Sequence, residues 1–143
     1  MVDDEPDLRH ILRVFLERAG HQVLDAGNGA EALAAAQLSA PVLVVTDMMM
    51  PVMGGAELVR RLRADPATAH IPILAATCDI RLAVAADAVL SKPYTRAGLM
   101  SAVDALLEQG ARTHRPSTLE SSHALAADNR RGIPALRVRG GSR

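Results

Sequence analysis

The sequence contains almost no aromatic side chains: its 143 residues include one Phe, one Tyr and no Trp. A core must therefore be built from Ala, Val, Leu, Ile and Met. The hydrophobic residues make up 49% of the chain, which is enough for one globular domain of about 110 residues. Without aromatic residues among its basic ones, the chain lacks the stacking platforms of proteins that bind single-stranded nucleic acid.

Cysteine and long apolar segments are also scarce. Cys78 is the only cysteine, which excludes a disulfide framework within the chain. No apolar run approaches the roughly 18 residues of a membrane span. The N-terminus is acidic, unlike the basic and then apolar start of a signal peptide. These absences predict a cytoplasmic protein that makes no contact with a membrane.

The net charge of zero conceals an asymmetry between two parts of the chain. Residues 1–109 hold 14 acids against 8 Arg and 1 Lys, whereas residues 110–143 hold 2 acids against 7 Arg. We interpret residues 1–109 as an acidic globular domain and residues 110–143 as a basic, disordered tail. Nucleic-acid binding through the Arg-rich tail is the less favoured alternative. The single lysine, Lys92, stands out in a sequence that otherwise uses arginine.

Hydrophobic periodicity predicts alternating strands and helices. Helices are predicted over residues 7–19, 30–38, 56–63 and 79–86, and from a Thr95 cap to Glu108. Strands are predicted over residues 21–26, 42–45, 71–77 and 88–91. This order is typical of a doubly wound α/β fold with a parallel sheet and right-handed crossovers.

Polar residues follow the predicted strands at their carboxyl ends, where open α/β sheets bind ligands. They are Asp47, Thr77 and Lys92, with Asp3 and Asp4 added if a strand precedes them. Converging carboxylates repel one another unless a cation lies among them, and Mg²⁺ prefers oxygen ligands. A carboxylate can form an acyl phosphate, while a metal, an ammonium and a hydroxyl each meet one phosphoryl oxygen. The set therefore suits phosphoryl transfer to Asp47.

Taken singly, these acids have ordinary structural explanations. Asp3-Asp4 could begin a helix, and Asp47 could be a loop acid or a helix N-cap.

These residues resemble the motifs of response regulator receiver domains over residues 1–109. The resemblance rests on Asp3-Asp4-Glu5-Pro6, on the segment 44–55 around Asp47, on Ala76-Thr77 and on Lys92-Pro93. It implies a flavodoxin-like fold with a five-stranded parallel sheet in the order 2-1-3-4-5. It also implies that a sensor histidine kinase or a histidine phosphotransfer protein phosphorylates Asp47.

The same resemblance implies a role for each site residue. Asp3, Asp4, Asp47 and the backbone carbonyl of Met49 would bind Mg²⁺. Thr77 and Lys92 would contact the phosphoryl group, and the bond between Lys92 and Pro93 would be cis. The protein would not be an enzyme with a substrate of its own. Its output would be protein contact, including a homodimer formed on phosphorylation.

The sequence departs from the family pattern at three places. Only Met1 and Val2 remain of the first strand, so we hypothesise a start upstream of Met1 or a fragment; an intact mass of the native protein beginning at Met1 would contradict this. Only 15 positions separate Thr77 from Lys92, which shortens the fourth helix. Val89 stands where the family often has a switch aromatic residue.

Three other functions compete with the phosphoacceptor interpretation. The chain could be a truncated or degenerate receiver that acts only as a binding module, or the receiver part of a larger kinase. It could also be a Mg²⁺-dependent phosphohydrolase, but such enzymes place a second acid two residues after the nucleophile. That position is Met49, which argues against turnover.

Overall fold

The computed structural model describes residues 1–113. Its helices are α1 (Pro6–Arg18), α2 (Gly29–Ser39), α3 (Gly55–Ala64) and α4 (Arg96–Thr113), with a 3₁₀ helix over Ile80–Ala83. Its strands are β1 (Val44–Asp47), β2 (Ile73–Thr77) and β3 (Ala88–Ser91). None of the helices in this part of the chain has the length and apolar character needed to cross a membrane.

The three strands form one parallel sheet in the order β1-β2-β3. On the free side of β1, Val2 makes single-residue parallel bridges to Thr46 and to Ala26. The spatial order is therefore Ala26, Val2, β1, β2, β3, which reproduces the expected order 2-1-3-4-5. The doubly wound α/β fold is confirmed, but within residues 1–113 the first two of the five expected strands are reduced to isolated bridges.

The strand predicted over residues 21–26 is wrong except at Ala26. Ala26 donates to the carbonyl of Met1 and accepts from the amide of Asp3, at 3.0 and 3.2 Å. Within residues 1–113, no segment forms strand hydrogen bonds with residues 21–23. Because a strand exists only through its partner, the apolar pattern of this segment alone cannot produce one.

The core consists of two apolar clusters on the two faces of the sheet. β2 is buried at every position, and its side chains alternate between the clusters. Ile73 and Ala75 face Leu58 and Leu62 of α3, whereas Leu74 belongs to the opposite cluster. That second cluster contains Leu12 and Leu16 of α1 and Leu99, Val103 and Leu106 of α4. A strand covered on both faces explains the continuous apolar run in the sequence.

Several element boundaries differ from the prediction. β1 begins at Val44 rather than at residue 42, and β2 begins at Ile73 because Pro72 has no N–H to donate. The helix predicted over residues 79–86 is only the 3₁₀ turn Ile80–Ala83, capped by the Asp79 side chain. Thr95 caps α4 as expected, since its hydroxyl accepts from the amide of Gly98 at 3.0 Å.

Helix α4 continues past the predicted end at Glu108 to Thr113. Gly110 lies inside the helix, where one glycine costs only about 1 kcal/mol relative to alanine. The division of the chain at residues 109 and 110 remains a prediction. Most of the predicted tail, residues 114–143, lies outside the described residues.

Candidate functional site

The carboxyl edge of the sheet brings the predicted site residues together. Asp47 ends β1 and is aligned with Ala76, and Thr77 ends β2 and is aligned with Ser91, which precedes Lys92. On the other side of β1, the amide of Asp47 donates to the carbonyl of Val2 at 2.9 Å, and this places Asp3 beside Asp47. The site therefore depends on strand register, which side-chain chemistry alone does not specify.

Lys92 connects two of the acids. Its Nζ lies 3.0 Å from Oδ2 of Asp47 and 3.7 Å from Oδ2 of Asp3. Burial lowers the pKa of Lys92, but the hydrogen bond to Asp47 and the charges of Asp47 and Asp3 outweigh burial and leave that pKa above its ordinary value. These contacts favour the charged ammonium beside the two carboxylates.

Asp3, Asp4 and Asp47 form a cluster of potential metal ligands. One carboxylate oxygen from each lies within 4.8 Å of the others. Asp3 and Asp47 are buried, whereas Asp4 is exposed. Burial raises the pKa of Asp3; the Glu5 amide and Lys92 act against this shift, and the charges of Asp47 and Asp4 add to it. Three converging oxygens with like charge fit a small divalent cation such as Mg²⁺.

Asp3 is held in place by contacts that the sequence does not reveal. Its Oδ1 accepts from the amide of Glu5 at 2.9 Å, and its carbonyl accepts from Nη1 of Arg9 at 2.7 Å. Arg9 also pairs with Asp25 at 3.2 Å, which ties α1 to the segment before α2. Periodicity assigns Arg9 only to the outer face of a helix, so no sequence signal identifies this role.

Asp47 accepts hydrogen bonds from the residues on both sides of it in the chain. The amide of Met49 donates to Oδ1 of Asp47 at 3.2 Å, and the hydroxyl of Thr46 donates to the Asp47 carbonyl at 2.8 Å. The carbonyl of Met49, a predicted metal ligand, accepts no hydrogen bond within residues 1–113. Val52 adopts a positive φ of 69°, a strained value for a β-branched residue.

Thr77 lies at the same edge of the sheet, but its side chain forms no hydrogen bond with the side chains of this cluster. It is fully buried, and its hydroxyl accepts from the amide of Asp79 at 3.1 Å and donates to the Asp79 carbonyl at 3.2 Å. Its own carbonyl accepts from the amide of Lys92 at 3.0 Å. The bond between Lys92 and Pro93 is cis, as expected. The structure thus brings Asp3, Asp4, Asp47 and Lys92 together and leaves the Thr77 hydroxyl bonded to its own loop.

Tyr94 is a neighbour of the site that sequence reasoning missed. Its hydroxyl is buried without a hydrogen-bond partner among the described residues. Burial raises the pKa of Tyr94; the charge of Lys92 opposes this shift, and those of Asp3 and Asp47 reinforce it. Because Tyr94 is the only tyrosine in a chain without tryptophan, its fluorescence can report on this site.

Fold and site together define a doubly wound α/β domain with an acidic cluster and a lysine at the carboxyl edge of its sheet. Residues 1–104 match the family model described as the response regulator receiver domain. The chain belongs to this family, the receiver domains of two-component systems. Such domains are signalling modules.

Curated relatives support this membership. The phosphate regulon transcriptional regulatory protein PhoB of Pseudomonas aeruginosa is 35% identical over 116 residues, covering 76% of this chain and 51% of that protein. Protein PilH of the same organism is 39% identical over 77 residues, covering 54% of this chain and 64% of that protein. The chain therefore spans about half the length of the transcriptional regulator and about two thirds of PilH.

Solved structures share the fold. The signal receiver domain of a histidine kinase from Syntrophus aciditrophicus is 32% identical, with a TM-score of 0.71 over 82% of this chain and 92% of that one. The chemotaxis protein CheY4 of Vibrio cholerae is 31% identical, with a TM-score of 0.69 over 73% of this chain and 93% of that one. The receiver domain of the kinase PA1611 from P. aeruginosa, 24% identical with a TM-score of 0.71 over 75% of this chain and 93% of that one, was solved with magnesium in its active-site cleft.

Proposed function

We propose that this chain is the phosphoacceptor of a two-component phosphorelay, with Asp47 as the residue that receives the phosphoryl group. The donor would be a histidine of a sensor kinase or of a phosphotransfer protein, and the output would be contact with another protein. The observation that carries the proposal is the 3.0 Å contact between Lys92 Nζ and Asp47 Oδ2 inside the acidic cluster.

Phosphoryl transfer to Asp47 would be a displacement at phosphorus. A carboxylate oxygen of Asp47 attacks phosphorus, and the bond between phosphorus and the donor imidazole nitrogen breaks. The electron pair of that bond stays on the imidazole, which takes up a proton, and Asp47 becomes an acyl phosphate. Lys92 is placed to pair with a phosphoryl oxygen, because its ammonium already lies beside the acceptor carboxylate.

The acidic cluster would hold Mg²⁺ through Asp3, Asp4, Asp47 and the carbonyl of Met49. When bound, the ion would neutralise the acids and the negative charge of the phosphoryl group. The amide of Glu5 orients Asp3, and that of Met49 holds one oxygen of Asp47, so two of the three carboxylates are positioned before any ligand arrives. Asp4, which is exposed, stays free to adjust.

Thr77 would act only after a local rearrangement. Its hydroxyl donates its only proton to the Asp79 carbonyl, so a hydrogen bond to a phosphoryl oxygen requires that contact to break. We expect this exchange to draw the segment after β2 toward Asp47. Such a movement is the change of surface through which the output partner, or a second copy in a homodimer, would sense phosphorylation.

Acetyl phosphate with Mg²⁺ tests the proposal directly. We expect the intact mass to increase by one phosphoryl group, and the increase to be absent in Asp47→Ala. Asp104→Asn is the matched control, because Asp104 is an exposed acid on α4. A cooperatively folded protein that gains no adduct would contradict the proposal and favour a degenerate receiver that only binds.

A further inference from the structure

Within residues 1–113, Asp4 is the one member of the acidic cluster whose backbone makes no hydrogen bond. The amide of Asp3 donates to the carbonyl of Ala26 at 3.2 Å, and the amide of Asp47 donates to that of Val2 at 2.9 Å. Asp4 is exposed, yet one of its carboxylate oxygens lies within 4.8 Å of those of Asp3 and Asp47. A contact outside the cluster must therefore direct Asp4 toward it.

The side chain of Arg9 supplies such a contact at the peptide group that joins Asp3 to Asp4. Its Nη1 donates to the carbonyl oxygen of Asp3 at 2.7 Å. Because a peptide group is planar, that oxygen, the amide of Asp4 and the α-carbon of Asp4 move as one unit. A hydrogen bond at the oxygen therefore restricts the directions in which Asp4 can project its carboxylate.

Arg9 is itself held by an acid that does not belong to the cluster. Its Nε lies 3.2 Å from Oδ2 of Asp25, and the two side chains are only 21% and 32% exposed. The other oxygen of Asp25 accepts from Nη1 of Arg13 at 2.7 Å. The guanidinium of Arg9 thus joins Asp25 to the Asp3 carbonyl. A planar fork of donors makes both contacts in fixed directions, which a compact ammonium does not.

The contact of Arg9 is with the backbone of the cluster and not with its carboxylates. Burial is the largest cause of the raised pKa of Asp3, and the charges that act on this pKa are those of Lys92, Asp47 and Asp4. The cation that pairs with the carboxylates is therefore Lys92, whereas Arg9 fixes the geometry of the chain between two of them.

We propose that Arg9 is a positioning residue for the Mg²⁺ site, because it orients Asp4 by fixing the peptide group between Asp3 and Asp4. Asp25 supports this role by holding the guanidinium in place. The inference rests on the proposed function, in which Asp3, Asp4 and Asp47 bind Mg²⁺. Removal of a residue that orients a metal ligand typically weakens metal binding by about tenfold to 100-fold.

Calorimetric titration of the full chain with Mg²⁺ tests the proposal. We expect Arg9→Gln to raise the Kd for Mg²⁺ by about tenfold to 100-fold. Arg9→Lys should behave like Arg9→Gln, because an ammonium does not reproduce the fork. Arg13→Gln is the matched control, since it removes an ion pair with Asp25 from the same helix without touching Asp3. Its Kd should stay within about twofold of that of the parent chain, because exposed ion pairs contribute little.

A double-mutant cycle with Asp4→Asn identifies the residue through which Arg9 acts. At raised Mg²⁺ concentrations, adding Arg9→Gln to Asp4→Asn should change the Kd by less than about twofold, because the carboxylate that Arg9 orients is already absent. Asp25→Asn gives a second route to the same result if Arg9→Gln folds poorly. It should weaken Mg²⁺ binding in the same direction by a smaller factor, since it loosens the guanidinium without removing it.

Unchanged Mg²⁺ affinity in Arg9→Gln, full recovery in Arg9→Lys or an equal loss in Arg13→Gln would overturn the inference. So would an undiminished effect of Arg9→Gln in the Asp4→Asn background, because the effect would then not pass through Asp4. A parent chain that binds no Mg²⁺ would instead refute the proposed metal site, on which this inference depends.

Discussion

The α-carbon of Gly55 packs against the carbonyl oxygen of Asp47 so closely that a β-carbon would collide with that oxygen and lie 2.7 Å from Cα of Met48. The first residue of α3 is thereby pressed against the end of β1. The amide of Gly55 also donates to the carbonyl of Met48 at 3.1 Å. The position of Asp47 thus depends on the absence of a side chain at residue 55.

Gly55→Ala should destabilise the domain by about 1–3 kcal/mol, because backbone atoms on both sides must shift to admit the methyl group. Gly110→Ala is the matched control: its β-carbon would come no closer than 3.7 Å to Pro72, and alanine is the better helix former. We expect the control to be neutral or stabilising by up to about 1 kcal/mol. Urea denaturation of both variants measures the difference, and equal effects would contradict this account of Gly55.

Lys92→Gln should slow phosphorylation of Asp47 by acetyl phosphate. A hydrogen bond to a charged group contributes about 1.5–3 kcal/mol, which corresponds to a loss of about tenfold to 150-fold in rate. Lys92→Arg should recover only part of this loss, because a planar guanidinium does not occupy the place of a compact ammonium. Arg112→Gln removes an exposed cation from α4 and should leave the rate unchanged. A normal rate in Lys92→Gln would argue against a role for Lys92 in transfer.

Mg²⁺ should raise the unfolding midpoint, and EDTA should reverse the effect. A ligand at 100 times its Kd stabilises the folded state by about 2.7 kcal/mol. Asp4→Asn is the informative variant, because Asp4 is exposed whereas Asp3 also orders the backbone at Glu5. Without metal, Asp4→Asn should be at least as stable as the parent chain, since it relieves repulsion within the cluster.

With Mg²⁺ present, Asp4→Asn should lose most of the metal-dependent gain, while Asp104→Asn should keep it. Tyr94 fluorescence, recorded during the same titration, monitors the site independently of unfolding. An equal gain in the parent chain and in Asp4→Asn would exclude Asp4 as a ligand.

Glu57 should make stability depend on pH in the acid range. Hydrogen bonds from Arg60 and Arg61 lower the pKa of Glu57 from 4.5 to about 2. Because the folded-state value is the lower one, the stabilising contribution is complete above pH 4.5 and is lost as the pH falls toward 2. The effect should be small, since the group is exposed and solvent screens it.

Denaturation of Glu57→Gln between pH 5 and about 2 should therefore give a flatter stability profile than that of the parent chain. Glu108→Gln is the control, because Glu108 is exposed on α4 and forms no ion pair within residues 1–113. A profile for Glu57→Gln that matches the parent would show that the Arg60 and Arg61 contacts are too weak to matter.

The sequence by itself determined the alternation of strands and helices and the residue types at the strand ends. It also determined the cap at Thr95 and the membership in the receiver family. These features follow from local periodicity, from side-chain chemistry and from short motifs, which act over a few residues. Strand β3 was predicted at its observed bounds, and the order of the sheet followed from the resemblance of the motifs.

Only the tertiary structure decided which neighbours each segment has. Residues 21–26 carry a strand pattern, yet only Ala26 makes a bridge, because no segment in the described part of the chain pairs with Gln22 and Val23. The role of Arg9 at Asp3, the close approach of Gly55 to Asp47 and the engagement of Thr77 by Asp79 all depend on contacts made in three dimensions. Hydrogen bonds and packing connect residues that are distant in the chain, and periodicity contains no information about such partners.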